Sequence, residues 1–137
     1  MQLIDTSAWI DYFKTSGDPD VRIRPASALK ANKAALCEMV FLELQGSPNT
    51  RQSVAISLLE PVVPVVHIDA VCWSRACQLA RLCHQSGHPV PNTDALIYAT
   101  AERHGCEALH NDKHFDWLDE ITGQNITERP LPLGGSA

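Results

Sequence analysis

Short apolar segments that hand over at once to helix-forming ones constrain this chain more than any other feature. Leu3-Ile4 reads as a buried strand ended by Asp5, and Thr6 or Ser7 can cap a helix through residues 8–13. Ala34-Ala35-Leu36-Cys37 reads as a second strand, followed by a helix over 38–44 that stops near Gly46-Ser47-Pro48. Ala108-Leu109 is a third, followed by a short helix over 113–120. Strands of this length cannot pair through tight hairpins when helices intervene, so the alternation predicts an α/β domain with a central parallel sheet. In such sheets ligands bind beyond the carboxyl ends of the strands, and the residues placed there carry the search for chemistry.

The remaining segments fill in this plan. Thr15-Ser16-Gly17-Asp18-Pro19 breaks the first helix, and a second is expected over about 20–32, with basic side chains at Arg22, Arg24 and Lys30 and at Lys33 just beyond it. Helices are expected over 50–60, over 69–86 with Val71, Cys72, Leu79, Leu82 and Cys83 near helical spacing, and from Pro91-Asn92-Thr93 to a stop at Gly105. Val62-Val63-Pro64-Val65-Val66 has strand composition, but Pro64 confines it to an edge or a connection. With 137 residues the chain has the size of one domain, expected over 1–133, with a frayed tail at 134–137.

Targeting and redox context are read the same way. No basic leader segment and no apolar stretch near ~18 residues is present, which predicts no membrane span and a protein that stays in the cytoplasm. The five cysteines are odd in number and lack a Cys-x-x-Cys pair, so they read as reduced core residues.

Four acids stand where the plan puts ligands. Asp5 follows the first strand, Asp112 follows the last, and Asp94 sits in the first turn after Pro91-Asn92-Thr93. Each has an ordinary alternative: Asp5 as a helix cap, Asp94 as a first-turn acid favoured by the helix dipole. Glu43 lies within Met39-Val40-Phe41-Leu42-Glu43-Leu44, where a buried, unpaired carboxylate is costly unless a cation relieves it. Glu38, at the start of that helix, is the rival acid. Clustered carboxylates repel, and Mg²⁺ or Mn²⁺ resolves the repulsion through hard oxygen ligands. Two such ions about 3.5–4 Å apart can activate a water and stabilise the leaving oxygen of a phosphodiester, with no His or Cys nucleophile.

Taken together, Leu3-Ile4-Asp5-Thr6-Ser7-Ala8-Trp9-Ile10-Asp11-Tyr12, Leu36-Cys37-Glu38-Met39-Val40-Phe41-Leu42-Glu43-Leu44, Val90-Pro91-Asn92-Thr93-Asp94-Ala95-Leu96-Ile97-Tyr98-Ala99-Thr100-Ala101 and Leu109-His110-Asn111-Asp112-Lys113-His114-Phe115 resemble the PIN-domain ribonucleases, and among them the VapC toxins of bacterial toxin–antitoxin pairs. The blocks occur in the family's order and span nearly the whole chain. The resemblance implies a Rossmann-like α/β/α fold with a parallel sheet of about five strands. It implies a catalytic and metal-binding quartet of Asp5, Glu43, Asp94 and Asp112 for Mg²⁺ or Mn²⁺, with Thr6 or Ser7 orienting a water. It further implies an endoribonuclease acting on tRNA or ribosomal RNA, a homodimer, and a small VapB-like antitoxin that inserts a basic side chain into the site. Departures concentrate at the fourth block. His110 replaces the usual Thr or Ser, His114 replaces a frequent acid, and Asp116 is a candidate fifth carboxylate.

The net charge of −5 runs against a broad basic field for nucleic acid. Two bound Mg²⁺ would bring it to about −1, and Arg22, Arg24, Lys30 and Lys33 could form a local basic rim. His84 and His88 have the i, i+4 spacing of a zinc pair, but Gly87 and Pro89 break the helix that would align them. Trp9, Tyr12 and Phe13 read as anchors of the first helix. Two other functions fit the acids less well: an α/β phosphatase using Asp5 as nucleophile, which would want a second Asp where Ser7 stands, and a degenerate module that only binds a partner.

Overall fold

The computed structural model describes residues 1–14 and 20–129. The expected break at 15–19 and the tail at 134–137 lie outside them. The order of elements is β1 (Gln2–Ile4), α1 (Thr6–Phe13), α2 (Asp20–Lys30), β2 (Ala34–Ala35), α3 (Glu38–Gln45), α4 (Thr50–Leu59), α5 (Ala70–Gln85), α6 (Asn92–Arg103), β3 (Glu107–Leu109), α7 (Lys113–Thr122) and β4 (Thr127–Glu128). The sheet has the order β2-β1-β3-β4, with every described pair parallel. Register is set by Leu3 opposite Ala35 on one side and Ala108 on the other.

Where about five strands were expected, four are joined as a sheet among the described residues. A fifth segment touches its edge through one parallel bridge, Leu36 to Val65. Pro64 explains the brevity. It has no N–H to donate, and the segment is tied on only by Leu36 N donating to the Pro64 carbonyl and Val66 N donating to the Leu36 carbonyl.

The chain steps from β1 to β2 in one direction, then crosses back over β1 to reach β3. Right-handed crossovers in opposite directions lay their helices on opposite faces, which gives helix–sheet–helix layers. The reversal also opens a crevice at the carboxyl ends of β1 and β3.

The core is built on Leu3, Ile4, Leu36, Ala108 and Leu109 from the sheet and on Trp9, Tyr98, Phe115 and Leu79 from the helices, all fully buried. Helix α6 is central. Its residues from Asp94 to Ala101 are all buried, and the small side chains of Ala95, Ala99 and Ala101 let it lie close to α5 and β3. Gly105 ends this stretch at φ 65, a left-handed conformation that a Cβ would strain.

Strand β4 was not anticipated, because Thr127-Glu128 carries no apolar pattern. It is held by Asp119 of α7, whose carboxylate accepts from Ile126 N (3.1 Å), Thr127 N (3.1 Å), Thr127 Oγ1 and the Tyr98 hydroxyl (3.0 Å). Four donors on one ionised acceptor make Asp119 the pin of the sheet's last strand. Asp119→Ala is expected to lower unfolding free energy by about 3 kcal/mol, read as an earlier urea midpoint. A change below about 0.5 kcal/mol would remove this role from Asp119.

No helix among the described residues is long and apolar enough to cross a membrane. The five cysteines are free, and all but Cys77 are buried.

Candidate active site

Asp5 emerges from β1 and acts twice. Its Oδ2 accepts from Ser7 N (3.0 Å) and Ser7 Oγ (2.6 Å), capping α1 in the way expected of Thr6 or Ser7. Its Oδ1 is buried with no hydrogen-bond partner, on a residue only 3% exposed. Burial drives the carboxyl up from 3.8 to about 6; the Ser7 hydrogen bonds oppose this, and the nearby Glu43 charge adds to it. One oxygen of Asp5 therefore serves as the helix cap, and the other is left without a partner among the described residues.

Asp94 lies at the start of α6. Burial, then the charges of Asp5 and Asp112, push it from 3.8 to about 7, with His114 pulling the other way. Helix α6 delivers this acid to the crevice because the packing around residues 94–101 leaves it no other direction to solvent. Asp112 caps α7 through its Oδ1, which accepts from His114 N at 3.0 Å. Asp94 thus feels the charges of both Asp5 and Asp112, although 89 residues of sequence separate it from Asp5.

Glu43 joins them from α3, but not as a buried acid. It is half-buried, and the apolar run around it is less enclosed than its composition suggested: Leu42 is 64% exposed. A one-sided helix on the sheet edge leaves part of such a run facing out. Glu43 Oε1 accepts from Thr6 Oγ1 at 2.9 Å, which ties α3 to the start of α1. The rival Glu38 is turned away, accepting from Ile68 N (3.0 Å) and meeting His67 Nδ1 (3.0 Å).

The hydroxyls expected to orient a water are largely committed to the protein. Thr6 Oγ1 spends its proton on Glu43. Ser7 Oγ donates to Asp5 and accepts from Asn111 N at 2.9 Å, tying the loop after β3 to the start of α1. A hydroxyl has a single proton, so toward a water both can act only as acceptors.

The two histidines of the fourth block behave differently. His110 is fully buried, stacks on Phe115 (centroids 4.9 Å apart), and accepts from Asp112 N through Nδ1 at 3.2 Å. Burial holds it neutral, down at about 4. It shapes the loop that carries Asp112. His114 stands inside the cluster, its Nδ1 3.0 Å from Asp94 Oδ2 and 2.8 Å from Asp112 Oδ1. Asp116, the candidate fifth carboxylate, stands apart from the cluster of Asp94, Asp112 and His114. It pairs with Arg129 at 2.8 Å and faces His110 Nε2 at 3.6 Å, so a cation of the chain already neutralises it.

Two of the four residues of the expected basic rim lie away from the acids. Arg24 and Lys33 line a cavity of about 340 Å³ with Met1, Gln2 and Glu107, at the amino ends of the strands and so at the opposite end of the sheet from the acids. Arg24 is also paired with Glu128 at 2.8 Å.

A divalent cation suits this donor set. The buried Asp5 Oδ1 has no protein partner, and one ligand atom each from Asp94, Asp112 and His114 fall within 4.8 Å of one another. The alternative use of Asp5 as a phosphatase nucleophile finds Ser7 bonded to it where a second acid would be wanted.

The PIN-domain family model matches residues 3–121, which contain all four acids. The chain belongs to the PIN-domain family. Within it, this PIN domain is 33% identical over 126 residues to Ribonuclease VapC11 of Mycobacterium tuberculosis, covering 89% of this chain and 94% of that protein. It is 33% identical over 136 residues to Ribonuclease VapC18 of the same organism, covering 96% of each. Its fold superimposes on the DNA-bound VapBC complex of Salmonella typhimurium with a TM-score of 0.73, at 18% identity, covering 95% of this chain and 98% of that one. The PIN fold accounts for the parallel sheet and for the meeting of acids from β1, α3, α6 and the loop after β3. The histidine at 114, inside that meeting point, was visible in the sequence as a departure from the family pattern but had no assigned role there.

Proposed function

We propose that this PIN domain is a metal-dependent endoribonuclease and the toxin of a VapBC-type toxin–antitoxin pair, hydrolysing phosphodiester bonds in tRNA or ribosomal RNA in the cytoplasm. The observation that carries the reading is Asp5 Oδ1, a carboxylate oxygen buried without a partner beside a second acid whose proton affinity it raises. Evolution does not need such an arrangement for folding, since burying unpaired acid is destabilising. The ribonuclease names of the 33% identical relatives supply the reaction class.

Asp5, Glu43, Asp94 and Asp112 would hold Mg²⁺ or Mn²⁺. When bound, the ion offsets negative charge on the scissile phosphate and makes a water more acidic. The chain's own groups do the rest. Thr6 fixes Glu43 by its Oε1, leaving its other oxygen to face the cation. Ser7 and Asn111 lock the β1 and β3 loops together, so the acids on either side of the crevice keep their spacing. The four acids also repel RNA by themselves, which makes substrate binding depend on the cation.

The same acidity suits an Arg or Lys from a VapB-like antitoxin, which would occupy the place of the metal. Exposed Leu42 (64%) and Trp73 (53%) border a hollow with Glu38, Met39 and Ile68 and offer a partner or a second copy an apolar seat. Incubation of purified protein with total RNA is the test. Cleavage with Mn²⁺, none with EDTA and none by Asp5→Ala is expected. Equal inertness of wild type and Asp5→Ala with every metal would favour a binding module instead.

A further inference from the structure

His114 brings a nitrogen into a cluster otherwise made of carboxylates. Its Nδ1 lies 3.0 Å from Asp94 Oδ2 and 2.8 Å from Asp112 Oδ1, and the three atoms fall within 4.8 Å of one another. Two contacts fix the side chain there. Its own N–H donates to Asp112 Oδ1 at 3.0 Å, and its ring meets Trp117 edge-on at 5.5 Å between centroids. In an octahedral shell with bonds of about 2.1 Å, neighbouring donors sit about 3 Å apart. The two measured separations have that value, so Nδ1 is spaced from each carboxylate as a neighbouring ligand would be. The unpartnered, buried Asp5 Oδ1, on a carboxylate whose charge raises Asp94, is an independent sign that a cation is wanted beside this cluster.

We infer that His114 binds the divalent cation through Nδ1 together with Asp94 and Asp112, and that this nitrogen shifts the site's preference from Mg²⁺ toward Mn²⁺ and later first-row ions. The inference rests on the metal reading of the preceding section. Mg²⁺ is a hard ion that favours oxygen donors and keeps its waters, so an imidazole adds little to its binding. First-row ions bind imidazole with increasing strength along the series from Mn²⁺. An acid at this position would complete an all-oxygen set; a histidine trades it for a donor that discriminates between ions. The ring presents the Nδ1 lone pair once its proton resides on Nε2. The competing account makes His114 only a counter-charge between two carboxylates, and it predicts no effect on ion preference.

Pulsed EPR of Mn²⁺ bound to the intact protein, with no RNA present, separates the two. Wild type is expected to show the coupling of a directly bound imidazole nitrogen, which changes isotope signature when the protein is labelled with ¹⁵N-histidine. In His114→Asp the nitrogen coupling disappears while Mn²⁺ still binds, which assigns the signal to His114 rather than to His110. The ratio of Mn²⁺ to Mg²⁺ affinity, measured by competition, should fall about tenfold in that variant. Bound Mn²⁺ without nitrogen coupling in wild type would overturn the inference and leave the metal reading standing. An unchanged affinity ratio in folded His114→Asp would overturn the claimed ion preference. Failure of wild type to bind Mn²⁺ at all would overturn both the inference and the metal reading.

Discussion

Asp94→Asn is expected to reduce RNA cleavage on the order of 10³-fold and to relieve the growth arrest that wild-type expression should impose on a bacterial host. The substitution keeps the shape of the side chain and can keep a hydrogen bond to His114 Nδ1. It removes the charge that a divalent cation requires, at an acid raised to about 7 first by burial and then by the charges of Asp5 and Asp112. Its place in the first turn of a buried helix gives no slack for another acid to replace it. Cleavage of total RNA in Mn²⁺ and colony formation under induction check the two halves. Arrest that persists in a cleavage-dead variant would mean toxicity without catalysis.

Asp5→Asn should be equally inactive and yet fold to a more stable protein when metal is removed. Burial raises the Asp5 carboxyl from 3.8 to about 6, so the folded protein holds this proton more tightly than the unfolded chain. Stability from that proton is complete below pH about 4 and is lost as the pH rises through about 6. A shift of about two units corresponds to roughly 3 kcal/mol. The variant gives up a charged helix cap worth about 0.3–1 kcal/mol. Burial therefore wins, and in EDTA at pH 8 Asp5→Asn should be more stable than wild type by about 2 kcal/mol, or several degrees in Tm. Near pH 4 the two should agree. His110, held neutral down to about 4, has the opposite pH slope, but it is common to both proteins and cancels in the difference. With saturating Mn²⁺ the order should reverse, because only wild type is stabilised by the ion. A variant that is less stable than wild type in EDTA at every pH would show that Asp5 is a structural cap first.

These two variants also mark what was readable in the sequence. Asp5 and Asp94 stand out because each sits at a boundary: the end of an apolar strand, and the first turn of a helix opened by Pro91-Asn92-Thr93. Local pattern and topology agree at such places, and the parallel sheet then brings distant boundaries together. Glu43 was placed in the right helix for a reason only half correct, since an apolar run does not reveal that Leu42 faces out. Asp119 and β4 were invisible for the converse reason. A two-residue strand is defined by its partners, here β3 and an acid on the preceding helix. Likewise the ion pair of Asp116 with Arg129, 13 residues on, could not be read from the local pattern. His110 and His114 stand four apart in the sequence, yet one is sealed beneath Phe115 and the other opens onto the carboxylates. A strand end followed by a helix start separates their directions, and spacing alone does not encode that turn.

The shared-cation claim is tested most directly by anomalous diffraction from a crystal of this protein soaked in Mn²⁺. The account predicts a manganese peak within coordination distance of Asp5 Oδ1 and of at least two oxygens from Asp94, Asp112 and Glu43. Ordered acids pointing apart around an empty centre, at a Mn²⁺ concentration that supports RNA cleavage, would contradict it.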